Sequence, residues 1–223
     1  KESALSDKQN ALEKLEEALV IKEQDVKHQR NYKEKLFTET KENEATFQGM
    51  LADLRRQYQT VESEIQSIER TIRAKLEGND KLPTGGDVAF SWPVPSQYIT
   101  AYFHDPDYPF RHIFEHAGID IKAGQGTAVR AVAPGYLARA KRCNESWCYS
   151  YVMIIHGDGL STVYGHLSQI AVSEDQFVAR GDIIGYSGGT PGTAGAGPFV
   201  TGPHLHFESR LNGIPVNPLN YLL

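Results

Sequence analysis

The sequence predicts an α+β protein divided by domain, with a long helical coiled-coil segment first and a compact, mostly antiparallel β-sheet domain second. Residues 1–77 contain one glycine and no proline. Their apolar residues recur at helical spacing, whereas residues 92–223 carry short runs of β-branched and aromatic residues between turn formers. Together these observations predict a helical region at 1–77, a linker at 78–91 and a sheet domain at 92–223.

Apolar residues of the helical region follow the repeat of a coiled coil. The positions are Leu5, Leu12, Leu19 and Val26 at intervals of seven, and Phe47, Leu51, Leu54, Tyr58, Val61, Ile65, Ile68 and Ile72 at intervals of four and three. A narrow apolar stripe needs a partner, so we expect a partner helix from a second copy, a missing upstream segment or another protein. The repeat loses its register between Thr38 and Phe47, which leaves a hairpin open, although we favour one continuous helix. His28 is expected to be an ordinary exposed helix position.

Composition and charge exclude several classes of partner. The formal net charge of -5 offers no basic surface for nucleic acid. No stretch approaches the roughly 18 uncharged apolar residues that a membrane-spanning helix requires. The chain begins at Lys1 within a helical pattern and without an initiator Met, which suggests a fragment or a processed product.

The two cysteines, Cys143 and Cys148, flank the turn-like sequence NESW between two strand-like runs. A zinc site would need two more soft ligands than this pair supplies. We therefore expect a disulfide that closes a small loop, with free thiols as the alternative. A disulfide indicates a compartment outside the cytoplasm.

The second part reads as a series of short strands. The runs, in chain order, are GYLARAKR, YSYVMIIHG, LSTVYGHLS, FVARGDIIGYSG and PHLHFESRLNGIPV. Turn formers separate them, among them GDG at residues 157–159 and NG at residues 212–213. The pattern predicts a compact sheet in which most strands are antiparallel.

The run TGPHLHFES contains two histidines one residue apart. In a strand His204, His206 and Glu208 would share one face, while Leu205 and Phe207 would point into a core. Such a pair alone is also compatible with the polar face of an edge strand. It acquires a chemical meaning only with further metal-ligand residues.

The run HAGID supplies such residues. His116 and Asp120 are four residues apart, Gly118 allows a bend between them, and a strand at IDIKA would place Asp120 opposite Ile119 and Ile121. Imidazole and carboxylate groups are usual ligands of zinc, and three protein ligands with one water define a catalytic site. A histidine of the HxH pair is a plausible third ligand.

The run TVYGHLS adds another histidine. Alternation would place Thr162, Tyr164 and His166 on one face and Val163 and Leu167 on the other. Alone, His166 is more simply interpreted as a satisfied, partly buried histidine. The remaining histidines of this part, namely His104, His112 and His156, are expected in loop, substrate-contact or structural roles rather than as ligands.

HAGID, YGHL and GPHLHFE, in this order, resemble the three motifs of the LytM/lysostaphin zinc endopeptidases, which cut bacterial peptidoglycan. The resemblance implies a bound Zn²⁺ and an endopeptidase that acts on peptidoglycan peptides. It implies the metal ligands His116, Asp120 and His206. It also implies that His166 and His204 act beside the metal on the water and on the reacting carbonyl.

The resemblance leaves two questions open. The chain has no HExxH, so a thermolysin-type arrangement is excluded, and Glu208 is either a partner of a metal ligand or simply exposed. A coiled coil joined to such a domain also resembles the EnvC-type proteins, which activate cell-wall amidases at division. The resemblance predicts an extracytoplasmic bacterial protein, in the periplasm or at the cell surface, whose coiled-coil partner could be another cell-envelope protein.

Two segments depart from the plain family pattern. SGGTPGTAGAGPFVTG, at residues 187–202, is longer than the usual connection, and FHDPDYPFRHIFE, at residues 103–115, carries additional charged and aromatic residues. Both are expected to form walls of a groove. The glycine-rich segment lacks a following Lys-Ser/Thr and is therefore not expected to bind phosphate.

Overall fold

A computed structural model of the chain describes residues 2–77 and 89–223. The predicted linker at 78–91 lies outside these residues except for residues 89–91. Two compact units are present, the first ending at Asp53 and the second beginning at Leu54. No described helix is both long and apolar enough to cross a membrane.

The first described element is one continuous helix, α1 (Glu2–Glu77), of 76 residues. The hairpin alternative is therefore wrong. The near absence of glycine and proline explains the continuity, because these residues are the ones that most strongly destabilise a helix interior. The loss of apolar register between Thr38 and Phe47 does not interrupt the backbone, since charged residues with good helix propensity occupy that stretch.

Eleven strands follow among the described residues. They are β1 (Ile99–Ala101), β2 (Ile119–Lys122), β3 (Ala128–Arg130), β4 (Gly135–Lys141), β5 (Tyr151–Ile155), β6 (Leu160–Gly165), β7 (Leu167–Ile170), β8 (Gln176–Val178), β9 (Ile183–Ser187), β10 (His204–Leu211) and β11 (Ile214–Val216). The larger sheet has the order β1-β2-β10-β6-β5-β4-β8, with β11 paired to β10, and the smaller sheet has the order β3-β9-β7. All of these strand pairs are antiparallel, as predicted.

The larger sheet is buried on both faces over its central strands. In β5, Val152 and Ile154 pack in a cluster that includes Ile184 of the smaller sheet. Tyr151, Met153 and Ile155 of the same strand pack in a second cluster with α1. We call the first side the small-sheet face and the second the helix face. Covering on both sides explains why the run YVMII is apolar throughout rather than alternating.

The apolar stripe of α1 has a partner in its second half, and that partner is the chain's own sheet. Ile65 and Leu76 are buried on the helix face, and Val61, Ile68 and Ile72 pack against the same cluster. The sheet thus covers this stretch in the described structure, and a partner helix stays a prediction. Helical spacing specifies an apolar stripe but not the surface that covers it. In the first unit, Leu19, Val26 and Phe47 are exposed.

Candidate metal centre and active site

Strands β2 and β10 bring the predicted ligands together. Asp120 and His206 are directly opposed in the antiparallel pair, and His116 comes from the segment just before β2. Gly118 permits the close approach, because a Cβ at this position would lie 2.3 Å from the carbonyl oxygen of Phe207. Substitution of this glycine would push β2 away from β10.

Three ligand atoms from these residues converge. His116 Nε2 lies 3.2 Å from Asp120 Oδ1 and 3.1 Å from His206 Nδ1. His206 Nδ1 lies 2.8 Å from Asp120 Oδ1. These separations are close to the roughly 3.3 Å between neighbouring ligand atoms around a tetrahedral zinc ion, estimated from its usual bond lengths. Within the described part of the chain, this trio is the group able to hold a metal ion.

Hydrogen bonds on the outer side of both rings orient the inner atoms. His116 Nδ1 is 2.7 Å from the carbonyl oxygen of Tyr102, and His206 Nε2 is 3.1 Å from Glu208 Oε1. Because both partners are acceptors, each ring donates outward and turns a lone pair inward. Two lone pairs and a carboxylate oxygen then face one another. A metal ion between them would satisfy all three atoms, and the residues therefore fit such an ion.

The electrostatics of the centre also favour positive charge. In the absence of a metal ion a proton can take the inward position on His206, because burial lowers its pKa but hydrogen bonds with Asp120 and Glu208 outweigh burial and raise it to about 10. Burial raises the pKa of Asp120, but its contacts with His116 and His206 outweigh burial and bring it well below its usual range. The pKa of Glu208 falls to about 2 because Arg210 and His206 outweigh its burial. Both carboxylates are therefore ionised at neutral pH.

His166 and His204 lie beside this trio, with ring centroids 4.7 Å apart. His166 Nδ1 is 2.6 Å from the carbonyl oxygen of Ala196, and His204 Nδ1 is 2.7 Å from that of Gly202. Both rings therefore donate through Nδ1 and keep a lone pair on Nε2. His204 Nε2 is buried and has no hydrogen-bond partner among the described residues. Such an atom is available to a reacting group.

The pKa of His166 lies well below its usual value, because the ring is buried and faces His204 and His206. The ring is therefore neutral at pH 7. A neutral ring with a free Nε2 can accept a proton.

His166 reaches the centre by a route that strand alternation does not predict. Its φ is 55°, in the left-handed region, and it forms the bend between β6 and β7. Tyr164 packs on the small-sheet face together with Leu167, whereas Val163 packs on the helix face. The prediction that His166 shares a face with Tyr164 is therefore wrong, because the left-handed residue interrupts the alternation.

The other histidines do not belong to the metal-binding trio. His156 is buried, with Nδ1 2.8 Å from the carbonyl oxygen of Pro134 and Nε2 2.8 Å from Thr162 Oγ1. Burial lowers the pKa of His156 to about 4. His104 stacks on Phe103, and the carbonyl of His112 accepts a hydrogen bond from the Arg55 side chain. The side chain of His28 lies outside the described residues.

The two predicted groove walls line a cavity of about 350 Å³ that also contacts His166, His206 and Glu208. Tyr108 and Phe114 come from the first wall, and Pro198 and Phe199 from the second. The predicted disulfide, Cys143 to Cys148, is present and lies at the same cavity.

Helix α1 covers one side of this cavity, which agrees with the hypothesis from the sequence that a short linker after Gly78 lets the helical arm lie near the groove and occlude it. The helix residues that line it are Gln57, Tyr58, Thr60, Val61, Glu62 and Ile65. The ring of Tyr58 stacks on that of Phe114 at a centroid distance of 3.9 Å. None of the five histidine and aspartate residues of the centre is more than 9% exposed.

Sequence reasoning also missed Arg210. Its guanidinium is fully buried and pairs with Glu208 and with Glu62 of α1. The alternation that predicted a common face for His204, His206 and Glu208 extends to position 210. A charged residue at that position of a buried strand was therefore a usable signal.

Residues 114–218 match Peptidase family M23. The chain carries an M23 peptidase domain of the LytM type. The chain is 41% identical over 132 residues to DD-carboxypeptidase/endopeptidase Mpg of Neisseria meningitidis serogroup B, covering 59% of this chain and 28% of that protein. It is 36% identical over 131 residues to peptidoglycan DD-endopeptidase ShyA of Vibrio cholerae, covering 57% of this chain and 28% of that protein. It thus spans just over a quarter of the length of either relative.

Among solved structures, a zinc-containing peptidase from Vibrio cholerae superimposes with a TM-score of 0.49 and 30% identity, covering 58% of this chain and 39% of that chain. The assignment of the M23 domain depends on the sequence match and not on this superposition.

Proposed function

We propose that the chain is a zinc metalloendopeptidase that hydrolyses peptide cross-links or stem peptides of bacterial peptidoglycan. The observation that carries the proposal is the convergence of three inward-facing acceptors from His116, Asp120 and His206 beside the free Nε2 atoms of His166 and His204. Two imidazoles and one carboxylate are a ligand set that zinc uses at catalytic sites. The family and the named activities of the two relatives support the same substrate class.

In this proposal His116, Asp120 and His206 would hold the zinc ion. When bound, the ion would supply the Lewis acidity that activates water and polarises an amide carbonyl. His166, neutral in its buried position, accepts the proton of the attacking water at Nε2. His204 presents the second free Nε2, from which the ring can exchange a proton with the reacting group. The carbonyls of Ala196 and Gly202 keep both rings in the required orientation.

The alternative, a non-catalytic EnvC-like activator of cell-wall amidases, is not favoured. Such an activator has no need of the metal-binding trio, whereas this chain retains all three residues and both neighbouring histidines. A buried set of facing acceptors is costly to keep unless it binds a cation. This cost supports the enzyme over the activator.

We further propose that the described conformation is the closed form of this enzyme. Tyr58 lies across the aromatic residues of the two walls, stacked on Phe114 and edge-on to Phe199. A cross-linked polymer cannot enter a cavity of about 350 Å³ that is covered in this way. Cleavage then requires displacement of the α1 residues from Leu54 onward. A coiled-coil partner in the cell envelope could displace them, and an extracytoplasmic location agrees with the substrate and the disulfide.

The test is digestion of purified sacculi by the zinc-loaded full chain and by a zinc-loaded Ile65→Asp variant, in which α1 is loosened. Mass spectrometry of the released fragments identifies the bond that is cut. We expect peptide fragments from the variant, in larger amount than from the wild type, and none after chelation. Intact glycan-linked peptides after incubation with both zinc-loaded proteins would contradict the endopeptidase and favour the activator.

A further inference from the structure

The side chains on the helix face of β10 form a continuous chain of contacts from the metal-binding trio to α1. His206 Nε2 contacts Glu208 Oε1 at 3.1 Å, and Glu208 Oε2 accepts a hydrogen bond from Arg210 Nη1 at 2.6 Å. The other side of the guanidinium contacts Glu62, with Nη1 3.3 Å from Oε2 and Nη2 bonded to Oε1. A metal ligand is thus connected to a helix residue by two side chains.

Arg210 is the branch point of this chain. Its side chain is 0% exposed, and its donors are shared between two carboxylates and the carbonyl oxygen of Gly213. Glu208 is buried as well, while Glu62 is half-buried on the helix. A buried guanidinium that one carboxylate already neutralises does not need a second one for charge balance. The contact of Arg210 with Glu62 therefore has a consequence other than charge balance.

The contact of Arg210 with Glu62 affects the hydrogen bond between Glu208 and His206. With Glu62 in place, the fork of Arg210 is divided, and Glu208 keeps more of its negative charge for the hydrogen bond from His206. Without Glu62, the guanidinium can form a bidentate contact with Glu208, which competes with the hydrogen bond from His206. A carboxylate that accepts the outer N–H of a metal-ligating histidine fixes the ring and raises its basicity as a ligand. The position of α1 thereby influences the basicity of His206 as a metal ligand.

We propose that Arg210 is a positioning residue that couples the docking of α1, through Glu62, to the strength with which His206 binds the metal. The inference rests on the proposed zinc centre. In the docked state the centre holds zinc more tightly, and displacement of α1 weakens the bond from Glu208 to His206. The helix that covers the site thus also keeps it loaded with metal while it is closed.

The test compares zinc affinity in full-length variants by competition with a chromophoric chelator. Glu62→Gln removes the contact with Arg210. Glu64→Gln is the matched control, because Glu64 forms a comparable ion pair from the same helix, but with Arg139 and Lys141. Each variant loses one negative charge and the ion pairing of one helix carboxylate, which has one basic partner for Glu62 and two for Glu64. A role in docking alone would therefore not single out Glu62→Gln.

A third variant separates geometry from charge. Glu62→Asp keeps the negative charge but withdraws the carboxylate by one methylene from Arg210. We expect Glu62→Gln and Glu62→Asp to lower zinc affinity roughly threefold to tenfold, below the 10- to 100-fold loss typical of direct partners of a metal ligand such as Glu208. Glu64→Gln should remain within about twofold of wild type, and thermal unfolding of the zinc-free proteins measures how far each variant weakens the docking of α1.

Three results would overturn the inference. Equal losses of zinc affinity in Glu62→Gln and Glu64→Gln would assign the effect to docking in general. Wild-type affinity in Glu62→Asp, with a loss in Glu62→Gln, would assign it to charge alone, and wild-type affinity in every variant would remove the coupling. A wild-type chain that binds no zinc would overturn the metal centre too, whereas a chain that binds zinc without cutting sacculi would contradict only the proposed peptidase and leave this comparison valid.

Discussion

The two faces of the larger sheet are built from the same strands but carry different kinds of residue. On the small-sheet face, Leu205 and Phe207 of β10 join an apolar cluster without charged members. On the helix face, the same strand carries His204, His206, Glu208 and Arg210, all of them buried. The first face is covered by a small sheet whose strands alternate along the chain with those of the larger sheet, and the second by a helix from the other side of the predicted linker.

Residues that stabilise the fold thus lie mainly on the small-sheet face, and the candidate catalytic residues lie on the helix face. Apolar side chains against a sheet of the same domain gain burial energy and have no reason to move. Charged side chains and candidate metal ligands beneath a helix gain partners such as Glu62, but in the proposed closed form a substrate would reach them only if the helix moved. Each residue of β10 therefore lies, by alternation, either in the core between the two sheets or in the interface with α1. Substitutions on the two faces should differ in what they change.

The largest expected effect is on the helix face, at the two histidines of β10. His206→Ala should lose the metal ion and all activity, because a direct ligand is removed. His204→Ala should keep the metal ion and lose activity by about 10²- to 10⁴-fold, the usual contribution of a residue that exchanges a proton. Metal analysis after dialysis and a sacculus digestion assay measure both. Equal loss of metal in the two variants would contradict this division of roles.

On the small-sheet face the expected effect is on stability alone. Phe207→Ala should lower the free energy of unfolding by about 3–5 kcal/mol, because a fully buried ring is replaced by a cavity. The folded variant should still bind metal. Ile214→Ala, at an exposed position of β11, is the control and should change stability by less than about 0.5 kcal/mol. Urea unfolding measures both, and a loss of metal affinity in folded Phe207→Ala would show that the two faces are not separate.

The small-sheet face should also make stability depend on pH. His156 contacts Phe90 of that face, and its pKa is lowered to about 4 in the folded chain, whereas an unfolded histidine has a pKa of about 6.5. The unfolded chain therefore binds more protons between these values. The contribution of His156 to stability should be complete above about pH 6.5 and fall by about 3 kcal/mol as the pH decreases to about 4. Denaturant titrations over this range test it, and His156→Asn should flatten the dependence.

The smallest expected effect concerns the packing of α1 on the helix face. Ile65→Asp places a charge in the buried contact between α1 and the sheet, whereas Phe47→Asp places one at an exposed position of the same helix. We expect Ile65→Asp to release peptides from sacculi roughly tenfold faster than wild type, which corresponds to about 1.4 kcal/mol in the closing equilibrium. Phe47→Asp should match wild type. Equal rates in all three proteins would mean that α1 does not limit access.

Much of the domain could be predicted because local patterns determine it. The run PHLHFES specifies a strand with chemistry on one face and core on the other, and the disulfide follows from two cysteines in a short loop. The continuous helix follows from propensity. The convergence of His116, Asp120 and His206 was predicted from a resemblance of three motifs, because spacing alone does not bring distant residues together.

Other features depend on tertiary contacts that no local pattern encodes. His166 needs a left-handed backbone at a non-glycine residue, and alternation fails at such a position. The stripe from Val61 to Ile72 has the spacing of a coiled coil whether a helix or a sheet covers it. The contact of Glu62 with Arg210 joins residues on opposite sides of the predicted linker. Predictions of partners for amphipathic segments therefore need the fold.

The apolar cluster beneath α1 has a consequence for solubility. If the helix dissociates, Tyr151, Met153, Ile155 and Val163 become exposed together and form a contiguous apolar patch on the sheet. Patches of this kind drive soluble proteins to self-associate. An opened enzyme free in solution would be prone to aggregate, so opening is compatible with a long-lived protein only if substrate or an activating protein takes the place of the helix. In the proposed closed form, the segment that blocks the site would thus also keep the chain from self-associating.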